Sequence, residues 1–177
     1  MATAQTPASG EASAPPAGAS NEELVRWTFE RINARDAASL RPLWRDAVEY
    51  FPQGVRRGPD EIAAYFEQAW RAMPNDFSLA IVGLAAAGDD VFARWMLTGT
   101  FTGENFEGIA ATGSRVELEG VDHFVIRDGL IVTNNVVFDQ MAFARQLGML
   151  PADRSPGDRA MKALFNVKTR LAAKLRR

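Results

Sequence analysis

Apolar side chains recur along this chain with two different periods, and the change from one to the other falls near Phe77. Before that point the spacing is helical. Leu24, Val25, Trp27, Phe29 and Ile32 follow "SNEE", a capping-box signature with Ser20 at the N-cap and Glu23 three residues on. A second, shorter helix is predicted after Asp36, with Leu40, Leu43 and Trp44 as its apolar positions. "VEYF", 48–51, alternates weakly and stops at Pro52. "GPDEIAAYFEQAWRAM" then returns to helical spacing, with Pro59 near its start and Pro74 beyond its end.

From Phe77 the period is two. Four β-rich runs are predicted at 77–86, 90–101, 115–127 and 130–138. "AGDD", the glycine-rich "TGENFEGIAATGS" and "RDG" separate them, and Asp128-Gly129 is a two-residue hairpin signal. A short helix from Gln140 to Leu147 is ended by Gly148. The order is therefore helices, an antiparallel meander and a closing helix, an α+β arrangement.

Composition narrows the chemistry. The chain has 177 residues, 47% of them hydrophobic, which fits one domain with a real core and appendages. It contains no cysteine and a single histidine, His123, so thiolate chemistry and multi-histidine metal sites are excluded. No Walker, EF-hand or dinucleotide fingerprint is present, and neither a cofactor nor a metal is implied. Residues 1–20, rich in Ala, Pro, Gly and Ser, read as a disordered leader rather than a secretory signal, and a cytoplasmic location is expected. Seven basic residues and one acidic residue lie between Asp158 and Arg177, leaving 13 basic and 21 acidic residues elsewhere. An acidic body of this kind argues against nucleic acid as the partner.

The stretch "GTFTGENFEGIAATGSRVELEGVDHFVIRDGLIV" followed by "FDQMAFARQLGMLP" resembles the SnoaL-like branch of the NTF2-like superfamily, relatives of polyketide cyclases and ketosteroid isomerases. The resemblance spans roughly 21–151, so that 1–20 is a leader and 152–177 a linker with a basic amphipathic helix. It implies an NTF2-like cone, with N-terminal helices packed on a strongly curved antiparallel sheet whose concave face opens into an apolar pocket. The implied ligand is an apolar small molecule. The implied assembly is a homodimer through the outer sheet face.

Carried over by resemblance, Asp122 of "VDHF" matches an aspartic acid that ketosteroid isomerases keep protonated as an oxyanion donor. Matching the strands to the family places Arg94 beside it on the inner face as electrostatic support and turns His123 outward. The isomerase base falls on Tyr50 or Phe51, neither a carboxylate. Glu49 is an adjacent substitute, or else an exposed edge-strand charge. Trp27, Phe51, Tyr65, Met96, Phe124, Asn134 and Val136 are the expected pocket walls, although Trp27, Trp44, Tyr65 and Trp70 at helical spacing read more readily as core. Limonene epoxide hydrolases resemble the chain at Arg94, but Met96 and Val136 stand where their carboxylates lie, which argues against that reaction. Val136 also stands at the acid/base position of the cyclases. Asp139, just ahead of "QMAFARQLG", reads as a helix N-cap.

Three functions follow from these residues. The first is an enzyme that isomerises, cyclises or dehydrates an apolar carbonyl compound through an enol or enolate. The second is a pocket that binds without catalysis, and the third a dimerisation or interaction module. The C-terminal stripe of Leu164, Val167, Leu171 and Leu175, flanked by Lys and Arg, reads as a helix laid on the domain or its mate, or as a contact for an anionic membrane or acidic partner.

Overall fold

A computed structural model describes residues 14–175, and side chains as far as Lys174. The leader expected over 1–20 lies for the most part outside the described residues. Two helices come first, α1 (Asn21–Asn33) and the short α2 (Ala37–Leu40). Ser20 caps α1: its side chain accepts from the Glu23 amide, while the Glu23 carboxylate accepts from the Ser20 amide at 2.8 Å. Asp36 caps α2 through the Ser39 amide. Strands β1 (Val48–Phe51) and β2 (Gly54–Arg57) precede α3 (Gly58–Ala72), then β3 (Ser78–Ala87), β4 (Asp90–Thr100), β5 (Arg115–Arg127) and β6 (Leu130–Phe138). Helices α4 (Gln140–Gln146) and α5 (Pro156–Leu175) end the chain.

The six strands form one open sheet in the order β2-β1-β6-β5-β4-β3. All neighbours are antiparallel except β1 and β6, which run parallel with Glu49 opposite Asn134. The sequence pattern had not predicted β2, because "GVRR" carries no apolar alternation. By pairing with β1, that strand removes β1 from the sheet edge. Helices α1 and α3 supply Leu24, Val25, Phe29, Ile62, Ala63 and Trp70 to a core closed by Val91, Ala93, Trp95, Phe124 and Ile126 from the sheet. The cone is α+β, with helices against the concave side of a curved sheet, and it has the NTF2-like architecture.

Local chemistry sets the turns. Asp128 and Gly129 both take positive φ, 51° and 72°, the geometry of a type I′ hairpin between β5 and β6. A bulge at Val132 adds one residue to β6. Ile131 and Asn134, three apart, therefore both turn inward and are 1% and 2% exposed.

Candidate functional site

The cavity lies between the concave sheet and helices α1, α3 and α4. Phe51, Tyr65, Phe106, Leu118, Phe138 and Phe143 supply much of its apolar wall. Three polar side chains from neighbouring strands reach it, Glu49 on β1, Asn134 on β6 and Asp122 on β5. Asn134 sits between the other two: it is paired in register with Glu49, and its Nδ2 donates to Asp122 Oδ2 at 3.2 Å.

The two carboxyls are buried alike but supported differently. Trp95 Nε1 donates to Asp122 Oδ1 at 2.8 Å, so each Asp122 oxygen accepts one bond. Burial still drives the Asp122 carboxyl up to about 7, against the pull of those two donors. Glu49 is raised further, to about 8, first by burial and then by the nearby Asp122 charge. Asn134 and the Trp44 indole favour its ionised form, yet Glu49 Oε2 and Trp44 Nε1 are buried without a hydrogen-bond partner. Two carboxyls in one apolar cavity cannot both ionise easily, so loss of the proton from one opposes its loss from the other. The hydrogen bonds favour the charge on Asp122 and the proton on Glu49.

The position of Trp95 depends on a glycine. Gly120 faces it across β4 and β5, and a Cβ there would lie 2.3 Å from the indole ring. The ring lies flat across the strand, which brings its N–H to Asp122. Sequence reasoning had not linked Trp95 to the site. Its place on the same strand face as Val91, Ala93 and Leu97 was the available signal.

Several expected positions are corrected. Arg94 does not face the cavity: it lies on the outer face of β4 and pairs with Glu119. The alternating burial of Val91, Ala93 and Trp95 fixes the inner face, and Arg94 lies between those residues. Met96 falls on the same outer face, so it is not a vacated carboxylate position inside the pocket. Tyr50 is also outside, 42% exposed, because Glu49 and Phe51 take the inward positions of β1. Glu49 is 2% exposed rather than an edge charge, since β1 is covered on both sides. Trp27 is buried in the core without lining the cavity. Phe51, Tyr65, Phe124, Asn134 and Val136 do line it, and His123 points outward against Asp90.

Asp139 is exposed and caps α4, accepting from the Ala142 amide at 2.9 Å. Among the described residues no group of acidic and histidine side chains is arranged to hold a metal ion.

The cavity measures about 80 Å³. Ordinary ligand clefts run to about 300–1,000 Å³, so a ligand of more than a few heavy atoms enters only if a wall parts. The thin wall is at Tyr65, which lines both the cavity and a surface groove with Arg56 and Glu107. The Arg56 guanidinium stands 5.7 Å from the centre of the Tyr65 ring and pairs with Glu107 at 3.0 Å. This ion pair ties β2 to the tip of the β4–β5 loop across that wall.

A curved sheet wrapped over helices, with an acid-bearing apolar cavity between them, is an NTF2-like fold. The sequence matches the SnoaL-like polyketide cyclases over residues 22–147, and the chain belongs to that family. Among solved structures it is similar to TsrD of Streptomyces laurentii, at 29% identity, TM-score 0.64, and coverage of 72% of this chain and 94% of that one. It is also similar to IdmH of Streptomyces antibioticus, a candidate polyketide cyclase, at 25% identity, TM-score 0.61, and coverage of 71% and 96%. A Catenulispora acidiphila protein with a ketosteroid isomerase-like fold, 17% identical over 77% of this chain and 100% of that one at TM-score 0.62, shares the fold. No curated protein matches the chain.

Proposed function

We propose that the protein is an acid–base enzyme that enolises an apolar carbonyl compound, leading to isomerisation, cyclisation or dehydration. The observation that carries this reading is a pair of buried carboxyls in one apolar cavity, both raised toward neutrality and unequally supported by hydrogen bonds. The Asp122 carboxylate takes the proton α to the carbonyl. The C–H electrons form the enol double bond, and Glu49 donates its proton to the carbonyl oxygen. Return of a proton to a different carbon, attack of the enol on a second carbonyl of the same molecule, or cleavage of a β C–O bond completes the change. In the last case the hydroxyl leaves as water with the proton held by Asp122, and the enol proton returns to Glu49. The hydrogen bonding thus supports the reverse of the allocation implied by resemblance, with Asp122 as base and Glu49 as acid.

The test is α-deuteration of unsaturated cyclic ketones in D2O, followed by NMR. Wild type is expected to exchange the α-protons, Asp122→Asn to lose exchange, and Glu49→Gln to slow it by about 10²–10⁴-fold. Exchange that survives Asp122→Asn would remove that residue from the reaction.

One observation favours a second reading, a pocket that binds without reacting. Val136, 9% exposed in the cavity wall, stands where the resemblance places the cyclase acid/base group. Naphthol binding with no exchange in any ketone would establish that reading. Self-association through the outer sheet face is supported by the exposure of Tyr50, Phe92, Val121 and Val137 there, and analytical ultracentrifugation tests it.

A further inference from the structure

Helix α5 is the least explained element of the molecule. Twenty residues long, about 30 Å, it is fixed only at its base. Asp158, 1% exposed, accepts from the Arg154 amide at 3.1 Å and from Lys162 Nζ at 2.7 Å, while Ser155 Oγ accepts from the Asp158 amide. Beyond that turn, every residue from 159 to 174 is exposed. The expectation that the helix lies on its own domain is therefore not met.

At 100° per residue, one side of this helix carries Met161, Leu164, Phe165, Val167 and Leu171, with Leu164 and Phe165 72% and 66% exposed. The other side carries Arg159, Lys162, Arg170 and Lys174. The chain from Arg159 to its end contains no acidic residue. We infer that α5 is an interfacial anchor that lies on an anionic lipid surface, its apolar side in the acyl boundary and its cations among the headgroups.

Two features favour a bilayer over a protein partner. Lys168 falls inside the apolar sector, where a protein groove would bury its charge but a membrane surface lets its long stem reach the headgroups. A polar side whose charges are all basic would set cation against cation along the flanks if two such helices paired. The acids of the body are in large part already engaged, as in Arg94–Glu119, Arg127–Asp89 and Arg71–Glu104. Among the described residues no helix is long and apolar enough to cross a membrane, so the contact is with its surface.

The test is co-sedimentation of the full chain with vesicles of phosphatidylglycerol and phosphatidylcholine in equal parts, and with phosphatidylcholine alone. Binding is expected to the anionic vesicles, to weaken roughly fivefold for each cation neutralised in Arg170→Gln and Lys174→Gln, and to vanish in Leu164→Ser/Leu171→Ser. These positions are exposed, and an unchanged circular dichroism spectrum confirms that the variants fold. Three results would overturn the inference. One is failure of wild type to bind anionic vesicles. Another is binding indifferent to Leu164→Ser/Leu171→Ser, or matched by polyglutamate, which would indicate an acidic protein partner. The last is a wild-type dimer that the same double substitution makes monomeric while vesicles capture nothing.

Discussion

At the scale of single residues, the site turns on how two carboxyls are kept from full ionisation. Glu49 and Asp122 have folded-state values of about 8 and about 7, above the ordinary carboxylate range. The unfolded chain therefore loses these protons first as pH rises. Below about pH 4 both states are protonated and the groups leave stability unchanged; between about 4 and 8 the folded state binds more protons, and stability falls. Glu49→Gln removes one such group. Its stability relative to wild type is expected to rise as pH goes from 5 to 8, by roughly a kcal/mol per pH unit, and calorimetry across that range checks it. Gly120 is the second sensitive position. A methyl group there meets the Trp95 ring at 2.3 Å, so Gly120→Ala is expected to cost about 1–3 kcal/mol and to displace the donor to Asp122. Denaturant melts would show the first effect, and an upward move of the acid limb of the pH–rate profile the second.

At the scale of elements, caps and turns follow local chemistry. Asp139→Ala is expected to cost about 1 kcal/mol through its exposed cap and to leave turnover unchanged; equal loss of both would tie the carboxylate to the reaction. Ser20, Asp36, Asp139 and Asp128-Gly129 were legible in the sequence because each acts on its immediate neighbours. Alternation sorted the residues of β5 into two faces, and the resemblance put Asp122 on the inner one, where it lies. The inner face of β4 was read by resemblance, which turned Arg94 inward, whereas the strand's own Val91, Ala93 and Trp95 pointed the other way. Burial of Glu49 could not be read locally. It arises because β2 covers one side of β1 and β6 the other, and neither the β2 strand nor the parallel β1–β6 register leaves a periodic trace. The same holds for Asn134, whose direction depends on the bulge at Val132.

At the scale of the whole molecule, the cavity is smaller than the ligands that such a wall would suit, so access governs its use. The Arg56–Glu107 pair spans the wall at Tyr65, with side chains 23% and 24% exposed. Arg56→Ala is expected to raise the association rate of a naphthol several-fold, with a smaller change in affinity, since the latch opposes entering and leaving alike. Stopped-flow fluorescence separates the two; an unchanged association rate would place the route elsewhere. The parallel union of β1 with β6 carries a consequence for folding. Glu49 arrives early in the chain, and the strand that seals it comes last but two helices, so the sheet joins distant segments in a slow, non-local step. That step withdraws a carboxylate from water. At neutral pH the unfolded Glu49 is ionised while the sealed one holds a proton, so closing the cone takes up a proton from solution. Refolding should then slow as the medium becomes alkaline, and a pH-indicator dye would record the uptake as the sheet closes.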